Sequence, residues 1–181
     1  MILGIDTSAG QCAVALVGDW VWARSEAMQR GHAEALFPMI EAVLAEAGVG
    51  YADLTRVGVC TGPGSFTGIR VGVAAARGLA LGCGIPAIGI TRFEALADPG
   101  LMEESIALPG RAGTSYVQNF ARGLATGEPR MADGTGEDRL ANPEVIARLA
   151  ADRVPGLPPA PLYLRGADAA PPRDAPPVML D

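Results

Sequence analysis

The residues TGPGSFTGIR, 61 to 70, follow the apolar run RVGVC and lead into VGVAAARGLAL. A strand, a glycine-rich turn and a helix start can together hold an anion, because unpaired backbone amides and the helix dipole favour negative charge there. The familiar nucleotide loops do not fit. A Walker loop needs two glycines with four residues between them, then Lys and Ser or Thr, but Thr67 stands where the second glycine should be and Ile69 follows Gly68. A dinucleotide fingerprint matches at Gly62 and Gly64 and then fails, with Gly68 one residue late. The same residues also suit a purely structural turn: Gly62 and Gly64 permit unusual backbone angles, Pro63 fixes one, and Ser65 or Thr67 can cap the helix amides.

Other reactive groups are few. All fourteen basic residues are arginine, so Schiff-base chemistry, a P-loop lysine and a kinase lysine are excluded. His32, the single histidine, falls near a helix start, where a structural or surface role is expected rather than catalysis. Cys12, Cys60 and Cys83 are odd in number, far apart and set in apolar sequence, which points to reduced core thiols in a cytoplasmic protein. The acidic pairs Glu103–Glu104 and Glu137–Asp138 sit in polar context and read as solvated faces. A net charge of −6 gives no general attraction to nucleic acid.

The 181 residues, 49% of them hydrophobic, suffice for a buried core. The start MILGIDTS lacks a basic segment and its apolar run is short, so no signal peptide is expected. The longest apolar stretch, 66 to 85, carries Arg70, Arg77 and five glycines. Each central arginine would cost roughly 2.5 to 3.5 kcal/mol in a membrane, so a buried soluble helix is expected.

These residues need elements to position them. ILGID and CAVALV, separated by the turn TSAGQ, predict a hairpin, and WVWARSEAM a third strand. HAEALFPMIEAVLAEAG predicts a helix that stops at Gly48, with Pro38 near its first turns. RVGVC predicts a strand buried on both faces, followed by a helix from about Phe66 to Leu81, the strand IPAIGI and the helix TRFEALA. Three antiparallel strands followed by helix, strand, helix, strand and helix is the ribonuclease-H-like order. From residue 98 the sequence loosens: SIALPGR and TSYVQNFARG predict weak strands, ANPEVIARLAA a short helix, and 155 to 181 a proline-rich tail. The expected domains are therefore 1–97 and a smaller second unit, 98–181.

The helix after Ser65 is apolar nearly all round, so more than one face must be covered. Either the second half of the chain or another chain can do this, and composition does not separate the two. Gly68, Gly72 and Ala76 repeat every four residues, a line along which a partner backbone could approach closely, with Arg70 and Arg77 on a neighbouring stripe. On this reading a Gly72→Leu change blocks pairing by bulk. Phe66, Ile69, Arg70, Gly72, Val73, Ala76 and Arg77 are the expected partner-interface residues.

The segments GIDTSAGQCAVAL, HAEALFPMIEAVLAEAG, GPGSFTGIRVGVAAARGLALG, IPAIGITRFEAL and PLYLRGADA resemble the TsaB (YeaZ) family of bacterial tRNA threonylcarbamoyladenosine biosynthesis, densely over residues 1 to 97. The resemblance implies an α/β protein of the actin-like ATPase superfamily that has lost its own catalysis. It implies a partner, the catalytic paralogue TsaD, and a second one, the small ATPase TsaE. Together they transfer threonylcarbamoyl to adenosine 37 of tRNA, and tRNA is met only through the complex. It also implies no cofactor, and it leaves homodimer and monomer as alternatives for the chain when alone. Two departures stand out: Gly110 replaces the aspartate of an Asp-Ala-Arg motif, and the second domain is short by about a strand and a helix.

The superfamily places a phosphate-contacting turn and a magnesium-associated aspartate after the first strand, where Asp6, Thr7 and Ser8 lie here. Without lysine or a matching second loop, a vestigial turn with Asp6 bonded to backbone is the favoured reading. The alternatives are a sugar- or acyl-kinase-like ATPase using those residues and a metallopeptidase-like hydrolase. A single histidine cannot build the two-histidine metal site of catalytic relatives.

Overall fold

The computed structural model describes residues 1–164, so the part of the expected tail and of the PLYLRGADA segment beyond residue 164 lies outside the described residues. Strands β1 (Ile2–Asp6), β2 (Gln11–Val17) and β3 (Val21–Ala27) form an antiparallel meander. Helix α1 (His32–Ala47) follows and ends on left-handed Gly48. Next come β4 (Arg56–Cys60), α2 (Phe66–Cys83), β5 (Ala87–Ile90) and the short α3 (Arg92–Leu96). The five strands lie in the order β3-β2-β1-β4-β5, with β4 and β5 parallel to β1.

Alternation along these strands sorts large from small side chains. Leu3, Ile5, Cys12, Val14, Leu16, Val57 and Val59 form one core with residues of α1 and α2. The opposite face carries Gly4, which pairs laterally with Ala15 on β2 and Gly58 on β4. Onto this shallow track packs α4 (Pro143–Asp152), so closely that a Cβ on Gly4 would lie 2.0 Å from the Pro143 carbonyl oxygen and one on Gly58 2.8 Å from Ala150 Cβ. Ile146 and Ala150 of α4 share a buried cluster with Cys60, Ile88 and Ile90. The division expected at residue 97 therefore misplaces this helix: it is the second cover of the first sheet.

What remains of the second half is a four-stranded antiparallel sheet: β6 (Glu104–Pro109), β7 (Thr114–Ala121), β8 (Leu124–Ala125) and β9 (Arg130–Asp133). The last two strands are not expected from the sequence. Ile106, Leu108 and Phe120 pack on Phe93 of α3, which joins the two sheets. At the β6–β7 turn a Cβ on Gly110 would lie 2.6 Å from Thr114 Oγ1, so the tight hairpin itself leaves no room for an aspartate there.

Helix α3 is tied back to α4 by Glu94. Its carboxylate accepts hydrogen bonds from the Thr91 amide at 2.7 Å, the Thr91 hydroxyl at 2.8 Å and Arg153 Nη2 at 2.5 Å. Burial alone would raise its pKa, but the Arg153 and Thr91 donors outweigh burial and hold it below the usual range. A carboxyl lowered in the folded state stabilises the protein above its unfolded pKa of about 4.3, and that stability is lost as pH falls through the folded value. Glu94→Gln is thus expected to cost roughly 1–3 kcal/mol at pH 7, with the gap from the parent protein closing below about pH 4. Thermal melts followed by circular dichroism across that range check this.

Candidate partner interface and phosphate turn

Asp6 closes β1 and is fully buried. Its Oδ1 accepts from the Ser8 amide at 2.9 Å and the Ser8 hydroxyl at 2.6 Å, and its Oδ2 accepts from Gln11 Nε2 at 2.8 Å. Gln11 donates from the same nitrogen to the Ala141 carbonyl at 2.8 Å, so the carboxylate also helps seat the segment leading into α4. Both oxygens already face protein donors. Burial, followed by the nearby Asp6 charge, pushes the Cys60 thiol far above its ordinary value, while its Sγ donates to Ser8 Oγ at 3.2 Å. Cys12 is pushed up to about 11 by burial first, then by Asp6 and Glu26. All three cysteines are free.

The loop from Thr61 to Gly68 lies directly on this turn. Ser65 donates its amide to the Ser8 carbonyl at 2.7 Å, and Thr7 Oγ1 donates to the Gly68 carbonyl at 2.7 Å. A Cβ on Gly64 would fall 1.9 Å from the Ser8 oxygen, and one on Gly68 2.0 Å from the Thr7 oxygen. The glycines thus let two backbones meet, and Ser65 caps α2 by accepting from the Gly68 amide at 3.2 Å. Beside the turn lies a cleft of about 200 Å³ bordered by Ser8, Gly10, Gly64, Arg92 and Asp138. It is smaller than the roughly 300–1,000 Å³ common for small-molecule sites.

Arg92, at the first position of α3, is buried, bonds the Arg139 carbonyl through Nε at 2.9 Å and pairs with Asp138. The sequence alone assigns Asp138 to a solvated acidic pair. Its partner is 46 residues away, and no local pattern announces it. His32 begins α1 and is buried, with Nε2 lacking a hydrogen-bond partner among the described residues, so of the two roles expected for it the surface one does not hold. Among the described residues no three His, Cys, Asp or Glu side chains gather as a metal-ligand set.

Helix α2 divides its faces differently from expectation. Ile69, Gly72, Val73 and Ala76 are buried in the chain's own core. A Cβ on Gly72 would lie 2.5 Å from Thr7 Oγ1 and 3.4 Å from Val59 Cγ2, so the Gly68–Gly72 line serves the approach of α2 to its own sheet. Those four residues are therefore not outward-facing interface candidates, and Gly72→Leu would disrupt the fold before any pairing. Phe66, Arg70 and Arg77 do face outward, joined by Ala74, Gly78 and Leu81. Phe66 is 55% exposed and Leu81 87%. By length and composition α2 could cross a membrane, but its inner side is the packing surface of the sheet.

A mixed five-stranded sheet covered on both faces, with a hydrogen-bonded acidic turn after β1 and a second sheet beyond, defines an α/β protein of the actin-like ATPase type. The likeness extends to a crystal structure of an uncharacterized Pseudomonas aeruginosa protein with similarity to the peptidase YeaZ, at TM-score 0.80 and 23% identity over 91% of this chain and 99% of that one. Residues 25–147 match the family model of TsaD, tRNA N6-adenosine threonylcarbamoyltransferase. The tRNA threonylcarbamoyladenosine biosynthesis protein TsaB of Escherichia coli K12 is 35% identical over 67% of this chain and 55% of its own length. A tRNA N6-adenosine threonylcarbamoyltransferase of Erythrobacter litoralis is 38% identical over 52% of this chain and 33% of its own. The chain belongs to this TsaD-type family, on its TsaB branch. It spans about half the length of the curated relatives it matches.

Proposed function

We propose that this chain is a non-catalytic subunit of a cytoplasmic tRNA threonylcarbamoyladenosine-forming complex, pairing with a TsaD-type paralogue and working alongside a TsaE-type ATPase. The observation that carries the reading is the outer stripe of α2, where exposed Phe66 and Leu81 flank two arginines without salt-bridge partners among the described residues. Apolar area with a few cations is the make-up of a partner surface. Asp6 supports the non-catalytic side, since its oxygens accept three protein hydrogen bonds. The kinase-like alternative would need those oxygens for magnesium.

In the absence of the paralogue, a second copy suits the same face. Glu34 and Glu41 are exposed on α1 seven residues apart, the spacing of Arg70 and Arg77 on α2, so two copies can pair acid with base across a two-fold axis.

The test is co-purification with the paralogue, then threonylcarbamoylation of tRNA with and without this chain. The modification is expected only when both are present, and modification by this chain alone would overturn the proposal. Arg70→Glu is expected to weaken paralogue binding at least about 30-fold, the loss common at an arginine hot spot, with an unchanged circular dichroism spectrum. Size-exclusion chromatography and calorimetry measure it.

A further inference from the structure

The segment after α4 returns to the start of α2. Leu162 donates its amide to the Thr61 carbonyl at 2.8 Å, and Leu164 packs beside the Phe93, Ile106 and Phe120 cluster of the second sheet. Held on both sides, Tyr163 accepts a hydrogen bond from Arg70 Nε at 2.8 Å through its hydroxyl. The Arg70 guanidinium lies 3.7 Å from the centre of the Phe66 ring and 5.8 Å from that of Tyr163, and the two rings are 5.5 Å apart. The Nη groups of Arg70 have no partner among the described residues, and Phe66 and Tyr163 are each about half exposed.

We propose that Tyr163 is a positioning residue for the partner surface: with Phe66 it fixes Arg70 as a preset receptor for a carboxylate on a helix of the TsaD-type partner. This rests on the reading of α2 as that surface. A free arginine side chain explores many rotamers and loses that freedom on binding. Here Nε is already bonded and the guanidinium carbon sits over the Phe66 ring, so the two Nη groups remain for two-pronged recognition of a carboxylate. Charge complementarity selects a carboxylate as the ligand, because Arg70 and Arg77 are the only charged residues on the exposed stripe of α2, and the choice of the TsaD-type paralogue to carry it follows from the proposed function.

Binding of the full chain to the purified paralogue tests the proposal by interferometry, alongside nitrogen-15 spectra of the arginine Nε–H groups. Tyr163→Phe is expected to weaken binding about 3- to 10-fold and Tyr163→Ala further, with the fold retained. Tyr163→Phe should also speed hydrogen exchange at Arg70 Nε and add no further loss in an Arg70→Ala background. If Arg70→Glu weakens binding while Tyr163→Phe and Tyr163→Ala bind like the parent, this inference is overturned and the interface reading stands. If Arg70→Glu also binds normally, the interface reading itself fails. An equal Tyr163→Phe loss with Arg70 already removed would show that Tyr163 touches the partner directly and would overturn the positioning role. Sensitivity confined to self-association would assign the receptor to a second copy and overturn the choice of partner.

Discussion

Gly68→Ala is expected to lower stability by about 3 kcal/mol or more and the melting temperature by about 6–12 °C, far beyond an ordinary helix substitution. Alanine is intrinsically the better helix former, so propensity alone predicts the opposite sign. The new methyl carbon would lie 2.0 Å from the Thr7 carbonyl oxygen, which is backbone held in place by β1 and has no rotamer to yield. To relieve it, the first turn of α2 must lift from the sheet, which breaks the Thr7–Gly68 and Ser65–Ser8 hydrogen bonds. Gly78 is the control on the same helix: a methyl group there would meet no atom of the described residues within 4 Å, and Gly78→Ala should be neutral or stabilising by about 0.5–1 kcal/mol. Denaturant titrations of both variants decide the matter, and equal behaviour of the two would refute the close approach.

Asp6→Asn should be as damaging, with a loss of about 3–5 kcal/mol. The substitution keeps size and shape while turning one acceptor into a donor. Oδ1 accepts two donors from Ser8 and Oδ2 one from Gln11, so either orientation of the amide aims N–H at N–H or O–H. The whole group is buried, and water cannot relieve the mismatch. If Asp6 were instead a magnesium-associated residue, Asp6→Asn would remain folded and lose only magnesium-nucleotide binding. Unfolding curves combined with nucleotide titration calorimetry distinguish these outcomes.

Most elements of residues 1 to 97 are legible because their signals are local. Strand runs are punctuated by glycine-rich turns, α1 shows helical spacing with Gly48 beyond it, and Ser65 stands ready to cap α2. The apolar circumference of α2 is legible too, but not which side faces inward. Gly72 turns toward the sheet because Thr7 and Val59 leave only hydrogen-sized room, a fact of tertiary packing that periodicity does not carry. The place of α4 is hidden for a related reason. Its seat is a lateral row of Gly58, Gly4 and Ala15, three residues on three strands that are neighbours only after pairing. The Arg92–Asp138 pair and the Tyr163–Arg70 bond join segments 46 and 93 residues apart, and nothing near either partner in sequence points to the other.

The row of tiny side chains under α4 also dictates an order of events. A growing chain that has reached residue 97 holds every strand of its main sheet, yet the face that carries this row, with Cys60, Ile88 and Ile90 beside it, stays wet until residues 143 to 152 have been synthesised. Chain growth from the amino end therefore delays completion of this core, leaving the half-made protein dependent on protection from unwanted adhesion. A fragment cut at that point would keep its strands and lack the lid that makes them durable.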